Sequence, residues 1–187
     1  MTLKEMQKKI LALIEELNPE SEFLTDDPDI KAKINHVINQ ILYELARMKK
    51  IPRYIEIDVS AGEIVDFARL GKAVKSEVYQ IKNAEGVNFE YKADGTVLKA
   101  LQSGTMGVEL YIYPERITEK TKANGYEFEL SADAIEIMPY GVAGDLLKSD
   151  KSAEYGSIYT KRYEDMKMQL DPRYNLGSIT VEGGVYI

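Results

Sequence analysis

The sequence contains no cysteine, which removes disulfides and thiolate chemistry from any account of fold or function. It has a single histidine, His36, so zinc and other metals bound through nitrogen or sulfur lose their usual ligands. A Ser-His-Asp relay would need that histidine buried beside a serine. Its helical phase instead places it with Lys33, Gln40, Tyr43 and Arg47, a solvated face. Long apolar runs are also missing: nothing approaches the roughly 18 consecutive apolar residues of a membrane span. The opening "MTLKEMQKKILALIEEL" is interrupted by acids and lysines throughout, unlike a signal peptide. A soluble chain, cytoplasmic at synthesis, is expected. Basic charge is in deficit, with a net charge of −7 and a pI of about 4.9. The densest basic spots, Lys8-Lys9 and Arg47 to Lys50 with Arg53, sit at helix edges and form no stripe that would hold nucleic-acid phosphates.

A phosphate cradle is lacking too. "RLGKAVKS" offers Gly71-Lys72, but the earlier glycine of a P-loop falls on Asp66. "EGGVYI" has no helix after it to supply a positive N-terminus. The doublets Asp26-Asp27 and Glu15-Glu16 read as a helix cap and a solvated helix face rather than an acid–base pair. "DDPDIKAK" begins a helix and does not space its oxygens as a calcium loop does. No catalytic residue, metal or cofactor is expected, and the chain does not read as an enzyme.

What is present is enough apolar material, 44% of 187 residues, to bury a substantial core. Residues 2–17 have the spacing of an amphipathic helix, with Leu3, Met6, Ile10, Leu13, Ile14 and Leu17 on one stripe and Thr2 with Glu5 as a capping box. A second helix starts after Asp27, with Pro28 at its first position. It runs through Ile34, Val37, Ile38, Ile41, Leu42, Leu45 and Met48 to the Ile51-Pro52 stop. From Tyr54 the period changes to two. "YIEIDVS", "VELYIYP" and "YEFEL" alternate as strands, and "VNFEYKADGTVLKAL" reads as a hairpin about Asp94-Gly95. Val74 to Lys82 also reads as a strand, while "EIVDFARL" fits strand or helix equally. Roughly five to seven strands in an antiparallel sandwich or barrel-like unit are expected.

The helical period returns after Leu130. Ser131 can cap a segment running to Lys148, which Pro139 should kink or split. Gly141, Ala143 and Gly144 leave room there for another backbone to approach. A last helix over Ser152–Leu170 carries Tyr155, Tyr159, Tyr163, Met166 and Leu170 on one face. The fold class is therefore α+β: a four-helix bundle from residues 1–52 and 129–172, an inserted β unit over 53–128, and an extended arm over 173–187.

Thirteen tyrosines are the compositional excess, and tyrosine is enriched at interfaces. The stripe Tyr155, Tyr159, Tyr163 also suits a core. Tyr111 and Tyr113 face away from Val108, Leu110 and Ile112, which fits a covered surface and makes them candidate contacts of the β unit. The arm is the second signal. "SITVEGGVYI" alternates Ile179 and Val181 with Thr180 and Glu182, and its glycines make it easy to bend. It suits a strand added to a partner's sheet edge, or one completing the chain's own sheet.

Three stretches, "DPDIKAKINHVINQILYELARMKKIP", "IEIMPYGVAGDLLKSD" and "YTKRYEDMKMQLDPR" with its glycine-containing tail, together with the αα–β–αα order, resemble the head–tail adaptor (connector) proteins of tailed bacteriophages. That resemblance implies a virion protein whose dodecameric ring binds beneath the portal protein and extends the DNA channel toward the next tail component, a stopper or nozzle protein. It implies a portal-docking arm carrying Arg173, Tyr174, Ile179, Val181, Gly183, Gly184, Val185, Tyr186 and Ile187. Subunit and helix packing falls to Pro139, Gly141, Gly144, Tyr155, Tyr159 and Tyr163. DNA would pass without specific binding, since twelve chains of net charge −7 carry about −84 formal charges, screened by salt. A reading of a different class is a small ligand- or carbohydrate-binding β module on a helical stalk, using Tyr111 and Tyr113.

Overall fold

The computed structural model describes residues 1–92, 97–149 and 153–170. The Asp94-Gly95 turn, Ser152 and the whole of the arm from Arg173 to Ile187 lie outside the described residues. Those described form a mixed α+β fold of five α-helices and two small antiparallel sheets, with no closed barrel.

Helix α1 (Leu3–Leu13) opens on the expected capping box: the Thr2 hydroxyl accepts from the Glu5 amide, and the Glu5 carboxylate accepts from the Thr2 amide at 2.8 Å. It ends earlier than its apolar spacing suggests. Glu15 adopts a left-handed conformation (φ 61°), and the Glu16 amide donates back to the Leu11 carbonyl at 2.9 Å. That pair of features closes the helix C-terminus, and Leu17 reaches the core from outside the helix. Helix α2 (Pro28–Met48) is capped by Asp27, whose carboxylate accepts from the amides of Asp29 and Ile30.

Strand β1 (Ile51–Val59) then begins. Strand β2 (Ile64–Asp66) and helix α3 (Phe67–Val74) resolve the ambiguity of "EIVDFARL": Asp66 ends the strand and caps the helix, accepting from the Arg69 amide at 2.8 Å. Strand β3 (Val78–Glu85) starts later than expected because Val74 is still helical. Strands β4 (Phe89–Lys92) and β5 (Val97–Ala100) pair antiparallel, as the hairpin reading requires, and β6 (Gly104–Ile112) follows. The sheets have the orders β1-β6-β3 and β2-β5-β4. Side chains from both contribute to one apolar core, including Val65 and Leu98 from one sheet and Met106, Val108 and Leu110 from the other.

"YEFEL" is not a strand. Only Glu127 pairs, in an isolated bridge to Thr2. Tyr126 and Phe128 turn into the helical core instead, packed edge to face at 5.2 Å. Helix α4 (Ala132–Leu146) passes through Pro139 without being split, and a single 3₁₀ turn follows it. Burial on almost every side of α4 explains its persistence, since tertiary packing outweighs the local penalty of an interior proline. Helix α5 (Ala153–Leu170) completes the described chain. Helices α1, α2, α4 and α5, drawn from both ends of the sequence, bury their apolar faces in one core with Ile117, Tyr126 and Phe128. Helix α2 also reaches the second core through Ala46, and Tyr43 packs against both.

Candidate functional site

Helix α5 has two contrasting faces. Its inner face meets α4 at three glycines. A Cβ on Gly144 would lie 2.9 Å from the Thr160 backbone nitrogen, and one on Gly156 would lie 3.0 Å from the Leu147 Cβ. A Cβ on Gly141 would meet the Tyr163 ring at 3.0 Å. Tyr163 is 3% exposed and donates its hydroxyl to Glu44 of α2 at 3.1 Å. Burial and then the Glu44 charge push its pKa up. Lys167 donates to the same Glu44 at 2.7 Å and to Glu164 at 2.6 Å. Burial opposes the charged lysine, but the two carboxylates outweigh it and its pKa rises. Tyr159, half-buried, donates to the Leu13 carbonyl of α1 at 2.7 Å. The outer face departs from the expected stripe: Tyr155 is 64% exposed and Ile158 60%. Arg162, one turn further on, lies 4.2 Å over the Tyr140 ring.

The second candidate region joins α2 to the first sheet. Tyr43 stacks on Tyr113 with centroids 4.7 Å apart and planes 14° apart. Tyr79 meets the Tyr113 ring at 4.6 Å and the Tyr111 ring at 6.3 Å. Arg47 Nε donates to the Tyr113 hydroxyl, and Lys50 Nζ sits 4.8 Å over Tyr111. The Tyr79 hydroxyl donates to the Ala46 carbonyl at 3.0 Å. Burial first, then the neighbouring Tyr113 and Tyr111, push the Tyr79 pKa up to about 12. The covered surface expected for the paired tyrosines therefore exists, and its cover at Tyr113, only 5% exposed, is the chain's own α2. An open groove of about 590 Å³ runs beside this seam, lined by Gln40, Glu44, Glu77 and Arg47 among others. Its charged groups could hold a polar ligand, yet Glu44 is already engaged by Tyr163 and Lys167.

A third region is a groove of about 530 Å³ between α1, α2 and the 118–125 segment. Phe23 stands exposed at its rim, with Lys31 5.4 Å over its ring. His36 is exposed and remote from any cluster, as its helical phase requires. Among the described residues no three His, Cys, Asp or Glu side chains are placed to hold a metal ion. No described helix is long and apolar enough to cross a membrane.

Sequence reasoning missed Asn39, whose buried amide donates to the Ile117 carbonyl at 2.8 Å and accepts from the Ile117 amide at 2.9 Å. One polar residue inside the run Val37, Ile38, Asn39 was the signal. Tyr43 and Tyr79 were missed as partners of Tyr113, and Gly156 as the third small residue of the α4–α5 crossing. No protein-family model matches this chain, and no curated protein sequence does so either.

Proposed function

We propose that the chain is the subunit of a head–tail adaptor ring of a tailed bacteriophage, a structural virion protein seated beneath the portal. In this reading α1, α2, α4 and α5 form a four-helix bundle that makes the ring wall. The β unit faces the next tail component, and residues 173–187 reach the portal. The observation that carries the proposal is the apolar core shared by helices from both ends of the chain, with a β unit that has its own core inserted between them in sequence. That is the architecture of the resemblance, αα–β–αα. The exposed side of α5 supports it: Tyr155 and Ile158 are large apolar side chains that the rest of the described chain leaves uncovered. A like copy would cover them, and aromatic anchors of this kind carry interface energy. Net negative charge suits a conduit in which DNA slides without sticking.

The ligand-module reading needs Tyr111 and Tyr113 open to a sugar ring, and Tyr113 is sealed against Tyr43 and Tyr79. Native mass measurement, with and without the cognate portal ring, tests the adaptor proposal. The full-length chain should give a closed ring, most simply a dodecamer, with portal present. Tyr155→Glu with Ile158→Glu should lower ring yield at least tenfold, and deletion of residues 173–187 should abolish portal capture. A full-length chain that stays monomeric beside the portal, and behaves like its truncation, would sink the idea.

A further inference from the structure

We propose that Asn124 is a site of spontaneous deamidation and that the docked start of α1 is its gate; the inference is independent of the ring reading. Asn124 is the only asparagine in the sequence that precedes a glycine. It is exposed and lines the groove between α1, α2 and the 118–125 segment. Gly125 has no Cβ to shield its backbone nitrogen from the preceding side chain. That nitrogen, on losing its proton, attacks the Asn124 side-chain carbonyl carbon, Cγ. The new N–Cγ bond closes a succinimide ring, and ammonia leaves with the proton. Water then opens the ring to aspartate or isoaspartate.

The folded turn withholds that nitrogen. The Gly125 amide donates to the Lys122 carbonyl at 3.0 Å, and the Tyr126 amide donates to the same oxygen at 3.1 Å. The first of these bonds closes a turn over residues 122–125 and fixes the Asn124 backbone torsion. Attack on Cγ needs that torsion to rotate and the held proton to leave, so it requires the turn to open.

Helix α1 clamps the turn shut. The first amides of a helix have no partner within it. Here Leu3 donates to the Tyr126 carbonyl and Lys4 to the Ala123 carbonyl, each at 3.0 Å, so the two grip the turn on both sides of Asn124. The Thr2–Glu5 capping box and the bridge from Thr2 to Glu127 hold that end of α1 in place. Tyr126 is anchored as well: its ring lies in the helical core and its hydroxyl donates to the Glu115 carbonyl at 2.6 Å. Asn124 thus meets water but is barred from reacting while α1 stays docked.

The reaction runs one way. It puts a carboxylate where a neutral amide stood, in the groove that Lys4, Lys31 and Lys122 line. In the isoaspartyl product the main chain passes through the former side chain and is longer by one methylene. The Ala123 and Tyr126 carbonyls then no longer match the Lys4 and Leu3 amides together. Each undocking of α1 that lasts long enough is recorded as a permanent change that disfavours docking again.

Trypsin releases residues 123–148 as a peptide with no other asparagine and no glutamine, so an amide-to-acid mass gain in it comes from Asn124 alone. Aged in mildly alkaline buffer, the folded full-length chain should gain that mass at least tenfold more slowly than a free peptide of residues 121–128. Lys4→Pro removes the amide that holds Ala123, at a helix start where proline is tolerated, and should speed the reaction at least threefold. Thr2→Ala with Glu5→Ala loosens the same end while keeping the Lys4 amide, and should speed it less. Gly125→Ala is the control: its Cβ would meet only the Lys122 carbonyl oxygen, at 3.8 Å. It should leave circular dichroism unchanged and slow the reaction at least tenfold in chain and peptide alike. Isoaspartyl methyltransferase should label peptide 123–148 of the aged parent and not that of aged Gly125→Ala. A folded chain that reacts as fast as the free peptide refutes the gate. No mass gain in the aged parent or in either α1 variant refutes the site. A Lys4→Pro chain whose Gly125 amide exchanges hydrogen faster, but whose Asn124 reacts no faster, refutes the coupling between them.

Discussion

Gly144→Ala isolates the closest approach between α4 and α5. The added methyl would stand 2.5 Å from Thr160 Oγ1, 2.9 Å from the Thr160 backbone nitrogen and 3.2 Å from the Gly156 carbonyl oxygen. The hydroxyl can rotate away, but the backbone nitrogen can move only with α5. Restoring an ordinary contact requires roughly 0.5 Å of separation, and overpacking of this kind costs about 1–3 kcal/mol. Replacing a helical glycine returns up to about 1 kcal/mol, less at Gly144 because it lies in the last turn of α4. The expected net loss is ~1–2 kcal/mol. Gly141→Ala is the control. Its methyl would meet a ring edge at 3.0 Å and the Ile41 Cδ1 at 3.2 Å. Both are side-chain atoms that can shift, so its net change should stay within about 0.5 kcal/mol once propensity is counted. Urea unfolding followed by far-ultraviolet circular dichroism measures both, and heating should lower Tm by about 2–4 °C per kcal/mol lost. Thr160→Ala added to Gly144→Ala should recover only part of the loss. Full recovery would place the clash at the hydroxyl, and a Gly144→Ala protein as stable as the parent would refute the backbone argument entirely.

Two further outcomes concern buried polar groups. Asn39→Ala strands the amide and carbonyl of Ile117 without partners, at about 1–3 kcal/mol each; it should lower stability by ~2–4 kcal/mol and speed exchange of the Ile117 amide, and a change under 0.5 kcal/mol would show that solvent replaces the bond. Tyr79 has its pKa raised to about 12, so its contribution to stability is fully present below about pH 10 and is lost as pH rises through about 12. Burial raises the pKa of Tyr126 and Tyr163 as well, so ultraviolet titration should show several late tyrosinates, of which Tyr79→Phe removes the step near 12; an unchanged titration curve in that variant would assign that step elsewhere.

Much of the fold could be read from local pattern because several elements carry both a period and a stop. Helix α2 has a capping Asp27, Pro28 at its first position, and an apolar stripe long enough to fix its phase. In "EIVDFARL" one aspartate serves two elements, ending β2 and capping α3. Neither piece is long enough for its period to emerge. "YEFEL" failed for a different reason. Alternation says that Tyr126 and Phe128 share a side, and they do, but it does not say whether a sheet or a helical core lies there. The long-range partners were beyond reach on the same grounds. Tyr113 could be placed opposite Ile112 on β6, while the arrival of Tyr43 from α2 depends on how two cores are set against each other.

What sets those cores against each other bears on the proposed role, since a β unit that meets the tail must be held firmly to the ring wall. Two sets of contacts cross the joint. The ion pair that crosses it, Arg53–Glu129, is substantially solvent-exposed, as is the neighbouring Lys49–Asp133 pair that ties the end of α2 to α4, and such pairs contribute about 0–1 kcal/mol each and weaken with salt. The Asp133 carboxyl is held down to about 2, first by Ser131 and then by Lys49, so this small term persists down to about pH 4 and disappears as pH falls through about 2. The stacking of Tyr113 on Tyr43 of α2 is worth about 0.5–1.5 kcal/mol beyond the area it buries. The Tyr79–Ala46 hydrogen bond adds about 1 kcal/mol. None of these depends on ionic strength in the way the ion pairs do. The tyrosines therefore dominate the joint, and the excess of that residue is accounted for in part within the chain before any partner is invoked. Tyr155, left outside both cores, is the most exposed of the described tyrosines, and it is the one on which the proposed contact between copies rests.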